Sequence, residues 1–221
     1  MLALITAGPA SAPIDEVRRI TNFATGEIGA RLAQALAAQG FEPHLFRARG
    51  ATHIELPEGV VLHEFGTNDD LARALEEVAK SRSEEVRAVF HAAALSDYLV
   101  TSVRGPEGPL VGVRKIPGDL PEIHLVLEPA PKVLPRLRGW FPRAWIVGWK
   151  YELAGSREEA IDRGRGQFLQ RCTDATVLNG AAYGAGFGVL EDDQSPQHLA
   201  TKREVAQFLA SRAATFAKSD K

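Results

Sequence analysis

Short apolar runs alternate along this chain with longer segments whose apolar residues recur at helical spacing, the pattern of an α/β fold. "LALIT" (2–6) predicts a first buried strand. A helix follows at some distance, over Gly26–Gln39, with Ile28, Leu32, Leu36 and neighbouring alanines on its inner face. "PHLFR" (43–47) and "VVLHEF" (60–65) predict the next two strands. A helix over 68–81 opens on Asn68, an N-cap candidate, and carries carboxylates in its first turn that suit the helix dipole. "RAVFHAA" (87–93) reads as another core strand.

Between Tyr98 and Glu128 the regularity stops. Gly105, Pro106, Gly108, Pro109, Gly112, Pro117 and Gly118 punctuate a stretch too long for a plain connection and too rich in breakers for a helix. It predicts an arm or flap over 98–128, with "IHLVL" (123–127) as its returning strand. Beyond it come a helix after Pro131, a strand "AWIVGW" (144–149) and a helix from Ser156 to about Cys172. A strand "ATVLN" (175–179), a glycine loop (180–188) and a last helix through Lys202 to Phe216 complete the pattern. The expected architecture is one Rossmann-like domain over 1–217, a largely parallel sheet flanked by helices with a protruding arm. The tail "KSDK" (218–221) is expected to be disordered.

Composition narrows the partners. With 221 residues, 45% hydrophobic and 24% charged, the chain is long enough to bury a full core without disulfides or a structural metal. A net charge of −2 gives no reason to expect nucleic acid or an anionic membrane surface as a partner. Cys172 is the single cysteine, which rules out a disulfide framework or cysteine-rich zinc site within the chain and makes a reducing cytoplasm the expected compartment. Its thiol is expected to be a buried small hydrophobe. "MLALITAG" is too short for a signal peptide, and no apolar run approaches the roughly 20 residues of a membrane span. The six histidines, His91 among them, lack metal-ligand spacing, so no metal site is expected in the protein itself.

"TGEIGARLAQALAAQG" (25–40) admits two nucleotide readings. A short-chain NAD(P)-dependent dehydrogenase places its glycine turn directly after the first strand, where the pyrophosphate meets a helix N-terminus. Here "AGPASAPIDEVRRITNFA" stands between the strand and the glycines. Such enzymes also need a Lys four residues after a Tyr. Four residues beyond Tyr98, Tyr151 and Tyr183 stand Ser102, Gly155 and Phe187. Hydride transfer therefore remains only as an alternative.

The inserted segment points elsewhere. "ITAGPASAPIDEVRRITNFATGEIGA" resembles the opening of the phosphopantothenate–cysteine ligase (phosphopantothenoylcysteine synthetase) family. "AAALSDY" (92–98), "RKIPGD" (114–119), "APKVLPRL" (130–137), "IVGWKYE" (146–152) and "VLNGAAYGAGFG" (177–188) resemble later motifs of that family, in the same order. The resemblance implies a stand-alone ligase of coenzyme A biosynthesis. In such a reaction a nucleoside triphosphate with Mg²⁺, ATP or CTP, activates the carboxylate of 4′-phosphopantothenate. The amine of free cysteine then displaces the nucleotide. "SDYLV" and "APKVLPRL" look closer to the ATP-using members.

The same resemblance assigns roles. Gly8, Gly26 and Gly29 would let the triphosphate approach backbone N–H groups. Asn22 would offer its side-chain amide to the activated carboxylate, and Ala93 and Ala94 their backbone groups; Asp97 would complete the substrate site. Lys115, on the flap, would close over the negative charge. Trp149 would stack on the base, Asn179 would hydrogen-bond its edge, and Arg18 would take the substrate phosphate, reaching across a homodimer built through the arm. The chain departs from the family at Pro9, which lacks an N–H where a glycine is usual, at Ala24-Thr25 in place of two serines, and at Glu27 where a cation is common. A carboxylate there would oppose a triphosphate, so a divergent nucleotide-binding relative without this activity is the second alternative. The family also occurs fused behind a flavin-dependent decarboxylase. With the first strand beginning at Leu2, neither flavin nor decarboxylation is expected of this chain.

Overall fold

Leu2, Leu4 and Ile5 are shut from solvent together with Ala3 and Ala7, so the first strand is apolar on both faces and must lie inside a covered sheet. The computed structural model describes residues 1–53, 55–169, 172–191 and 195–219, with 168 and 169 described by their backbone alone. In chain order the elements begin with β1 (Leu2–Ala7), a hairpin of β2 (Ser11–Pro13) and β3 (Arg19–Thr21), α1 (Glu27–Ala38), β4 (Glu42–Ala48) and β5 (Val61–Phe65). Next come α2 (Asn68–Arg82), β6 (Val86–His91), and the arm strands β7 (Tyr98–Gly105), β8 (Gly108–Pro109) and β9 (His124–Pro129). The last part holds α3 (Leu134–Trp140), β10 (Trp145–Tyr151), α4 (Arg157–Leu169), β11 (Ala175–Asn179), β12 (Phe187–Leu190), β13 (Gln197–Leu199) and α5 (Lys202–Ser219).

The main sheet runs β13-β12-β11-β10-β6-β1-β4-β5. Its six strands from β11 to β5 pair in parallel, and β12 and β13 extend it antiparallel. This is the Rossmann-like architecture that the alternating pattern implies. Ile5, Phe90, Val147 and Val177 face a cluster with Leu32 and Leu36 of α1 and Leu209 of α5. Leu4, Val89 and Ile146 face the opposite cluster, with Leu71 and Leu75 of α2 and Leu137 of α3. The split follows from the alternation of side chains along a strand. Each fully buried leucine stabilises the fold by about 1.5–3 kcal/mol relative to exposure. On that second side α4 lies over Leu178 and Leu190, close enough that a Cβ on Gly164 would come within 2.5 Å of the Leu178 side chain.

Element ends differ from the sequence reading in informative ways. Thr67, not Asn68, caps α2, in a reciprocal box with Asp70. Asn68 instead turns inward and exchanges hydrogen bonds with the backbone of Ser96, at 2.8 and 3.1 Å. The final helix runs to Ser219 and so takes in Lys218 and Ser219 of the expected tail; residues 220 and 221 lie outside the described residues. The β2–β3 hairpin left no apolar signature, because its three-residue strands are mostly exposed. The arm is a three-stranded sheet, β8-β7-β9, standing off the main one with most of its side chains in contact with solvent.

Candidate functional site

The strand order reverses at β1, with β4 and β5 on one side and β6 on the other, so the crevice between the β1 and β6 carboxyl ends is the expected ligand position. Two glycines shape it. Gly8 and Gly26 both take left-handed conformations, φ +83 and +84, and a Cβ on Gly26 would lie 3.7 Å from the Gly8 backbone. The chain leaves β1, makes the hairpin and returns to cross its own exit before starting α1. Gly29 does something else. A Cβ there would meet that of Ala7 at 2.2 Å, so its task is to let α1 lie close on β1. Gly29 was expected to meet a phosphate, and the structure gives it this helix–strand packing role.

Pro9 costs the pairing with the loop after β6 nothing. It forms a parallel bridge with Ala94, whose N–H donates to the Gly8 carbonyl (3.0 Å) and whose carbonyl accepts from Ala10 N–H (3.1 Å). The missing N–H falls at the position the bridge does not use.

The loop after β6 is held from two sides. Ala92 N–H donates to the Thr6 carbonyl at 3.1 Å, and Ala93 N–H donates to Thr6 Oγ1 at 3.2 Å. The Ala93 and Ala94 N–H groups expected to meet a carboxylate are therefore already spent. Asn22 closes the loop from the other side, its amide donating to the carbonyls of Ala94 (3.1 Å) and Leu95 (3.2 Å). Only the amide nitrogen can serve two carbonyls, so both amide hydrogens are engaged within the protein. What Asn22 offers a ligand is the acceptor Oδ1.

The flap is tethered through Asp15. Its carboxylate accepts from the backbone N–H of Ile116 (3.0 Å), Val17 (2.8 Å) and Arg18 (2.6 Å), and from the Arg18 guanidinium (2.8 Å). The Ile116 N–H first, then those of Val17 and Arg18 and the nearby guanidinium charge, draw the Asp15 pKa down to about 2. Arg18 also donates to the Ile116 carbonyl at 3.1 Å, bracing hairpin against flap, while its side chain stays 37% exposed. Beside these ties Ile116 is buried and Lys115 is exposed, off the lining of the cleft described next.

That cleft, of about 420 Å³, opens on the α2/α3/α4 side of the sheet, beneath the 93–97 loop. Ala93, Leu95, Val133, Leu134 and Cys172 supply apolar wall; Lys132, Lys150, Arg163 and Asp97 supply three cations against one carboxylate. Asp97 pairs with Lys132, and Glu152 pairs with both Lys150 (3.2 Å) and Arg163 (3.0 Å). Gly148 lets Gln167 pack close against β10, since a Cβ there would strike Gln167 Oε1 at 2.5 Å. His91 lines the cleft with 8% of its surface exposed, its Nδ1 3.0 Å from Thr6 Oγ1; burial pushes its pKa down to about 4.

The remaining candidates divide. Trp149 reaches the cleft lining, but its indole packs with the apolar cluster on the α1/α5 side, and its carbonyl accepts from Gln167 (3.4 Å). Asn179 ends β11 away from the cleft, its carbonyl accepting from Glu152 N–H at 2.9 Å. Glu27 does stand at the start of α1, yet its carboxylate is tied to Lys202 and, at 2.8 Å, to Arg31. The Lys202 bond first and the Arg31 bond second lower its pKa. Two cations thus surround one carboxylate, and the repulsion expected of Glu27 is offset within the protein. Sequence reasoning passed over Thr6, Asp15, Lys132, Lys150 and Arg163. Thr6, Asp15, Lys132 and Lys150 lay inside quoted motifs without being chosen, and Arg163 lay outside them.

Residues 2–217 match the family described as the DNA/pantothenate metabolism flavoprotein C-terminal domain. The chain belongs to this family. It is 31% identical over 176 residues to the coenzyme A biosynthesis bifunctional protein CoaBC of Thermococcus kodakarensis, covering 80% of this chain and 40% of that protein. To the CoaBC of Methanocaldococcus jannaschii it is 28% identical over 199 residues, 90% of this chain and 44% of the relative. The chain thus spans about two fifths of the length of these curated relatives. Among solved structures, the DNA/pantothenate metabolism flavoprotein from Streptococcus pneumoniae superposes with a TM-score of 0.83 at 24% identity, over 98% of this chain and 99% of that one. A Cab2 variant in complex with phosphopantothenate-cysteine superposes at 0.75 with 18% identity, over 100% and 89%. These two likenesses establish the shared fold.

Proposed function

We propose that this chain is a phosphopantothenate–cysteine ligase, joining 4′-phosphopantothenate and L-cysteine through an acyl-nucleotide intermediate. The observation that carries the reading is the pairing, at the reversal of strand order, of an Asn22-locked loop with a cleft bearing three cations and one carboxylate. A polyanion in this cleft would compete with Asp97 and Glu152 for the three cations, and the bifunctional relatives act in coenzyme A biosynthesis.

In this reading a nucleoside triphosphate occupies the cleft, with Lys132, Lys150 and Arg163 toward its phosphates. ATP is favoured over CTP on the "SDYLV" and "APKVLPRL" segments. The substrate carboxylate attacks the α-phosphorus, pyrophosphate leaves, and the cysteine amine then attacks the mixed anhydride and expels the nucleotide. The acceptor Oδ1 of Asn22 suits an amine that must shed a proton as it attacks. Arg18 binds the substrate phosphate once it exchanges Asp15 for it, and Lys115 covers the site when the flap moves. Mg²⁺ fits, since it is held mainly by phosphates with one or two carboxylates, and Asp97 is the carboxylate in the cleft. Bound there it would neutralise phosphate charge.

A homodimer is supported by the apolar side chains left outside: Phe23 is wholly exposed, and Tyr98 and Leu127 on the arm are about half so. The single cysteine is in keeping with a reducing cytoplasm. The deciding experiment measures pyrophosphate release with both substrates, with either one omitted, and with NADPH oxidation followed in parallel. Release that needs phosphopantothenate, with product that needs cysteine, is the expected result. NADPH turnover alone would move the protein to the oxidoreductases.

A further inference from the structure

The donors expected to read a ligand at the end of β6 are consumed inside the protein. The Asn22 amide serves two carbonyls, Ala93 N–H serves Thr6, and Ala94 N–H serves Gly8. A neutral donor remains on His91. Thr6 is fully buried and its Oγ1 meets Ala93 N–H and His91 Nδ1, so among the described residues the hydroxyl hydrogen finds its acceptor at Nδ1. A ring whose Nδ1 accepts must carry its proton on Nε2 when neutral. Among the described residues Nε2 has no partner, and it is not one of the side-chain nitrogens sealed from solvent. His91 lines the cleft, so that N–H opens into it.

The surroundings state what it would meet. The cleft that His91 lines has buried apolar wall, with Val133 only 3% and Cys172 only 8% exposed, and its amides, Asn68 and Gln167, are bonded to Ser96 and to Trp149 and Thr176. The cations stand further out, Lys132 at 60%, Arg163 at 40% and Lys150 at 37% exposure. An apolar floor with one fixed neutral donor suits an aromatic base, and a solvated basic rim suits phosphates. We propose that His91 is a specificity-determining residue whose Nε2–H donates to an acceptor atom of the nucleobase in this cleft. Thr6 acts as its positioning residue, fixing the tautomer. The inference rests on the reading that a nucleotide occupies the cleft and adds which atom recognises the base.

Calorimetry with ATP, CTP and inorganic tripolyphosphate, on wild type, His91→Phe and His91→Gln, tests it. Phe fills the space without a donor, and Gln restores an N–H. His91→Phe should weaken the preferred nucleotide by about 3- to 10-fold, the usual effect of one neutral hydrogen bond, and leave tripolyphosphate unchanged. His91→Gln should recover part of the loss. In ¹⁵N-histidine-labelled wild type, His91 should show a protonated Nε2 whose resonance moves with nucleotide and not with tripolyphosphate. Equal weakening of nucleotide and tripolyphosphate, or none of either, would overturn the assignment while the nucleotide reading stands. Wild type binding tripolyphosphate but no nucleotide would overturn both. A protonated Nδ1 would overturn the assignment without any variant having to fold.

Discussion

Acid should loosen this protein through His91 before its carboxylates titrate. Burial holds that imidazole at a pKa of about 4 against an ordinary 6.5, in a side chain with 8% of its surface exposed. Between those values the unfolded chain binds a proton that the folded chain refuses. The associated stability is therefore complete above pH 6.5 and is lost as pH falls toward 4. At about 1.4 kcal/mol for each pH unit, the gap comes to about 3 kcal/mol. That is a large share of the 5–15 kcal/mol typical of a folded domain. His63, also lowered by burial, acts in the same direction, so the measurement must be a difference. His91→Gln removes the titrating ring and keeps a polar group for Thr6. Urea unfolding of both proteins from about pH 7.5 to about pH 4.5 should show the wild-type advantage shrinking by about 2–3 kcal/mol. An advantage that stays level within about 0.5 kcal/mol would mean the ring is not held neutral, and the tautomer argument would fall with it.

Three further outcomes follow from the same geometry. Lys115→Gln should slow ligation by about 10²- to 10³-fold, because a flap lysine neutralises charge only as the acyl nucleotide forms. Its urea midpoint should barely move; undiminished turnover would remove Lys115 from the mechanism. Gly29→Ala should destabilise, since a Cβ 2.2 Å from that of Ala7 brings overpacking of about 1–3 kcal/mol, more than the helix-propensity gain of about 1 kcal/mol. A raised melting temperature would show that Gly29 does not set the α1–β1 spacing. Lys202→Gln should raise the Glu27 pKa toward the ordinary carboxylate range, because the larger of the two bonds that lower it is lost; a Glu27 titration followed by NMR that does not move would show that Lys202 does not hold that carboxylate.

Most of the architecture was legible because burial imprints periodicity. β1, β6 and α1 announce themselves, since each must hide an apolar face. The β2–β3 hairpin did not, because its strands are three residues long and mostly exposed, and only hydrogen bonds hold them. Asn68 misled for a related reason. It is as good a cap as Thr67 by residue type, and only the distant Ser96 backbone decides which of the two turns inward. The site was legible by position more than by role. Motifs placed Asn22, Ala93, Ala94 and Asp97 in one neighbourhood, but which N–H groups remain free depends on Thr6 and Gly8, some 85 residues from their partners. Asp15 shows the same limit. Nothing local marks it as the anchor of a flap 101 residues further on.

Glu27 shows how a departure in one element can be answered in another. At the start of the first helix this chain carries a carboxylate, which suits the positive end of the helix dipole at Gly26 but by itself would repel a phosphate. The structure places Lys202, the first residue of α5, on that carboxylate, and Arg31 one turn along α1 on its other oxygen. The cluster keeps a surplus cation at the mouth of the helix, now supplied by a segment 175 residues away. Because α5 packs on α1 through the shared core of Leu32, Leu36, Val205 and Leu209, the lysine is carried by a rigid element and needs no loop to deliver it. The charge a phosphate would meet there depends on the packing of two helices, so a motif search confined to the first helix would misjudge its sign.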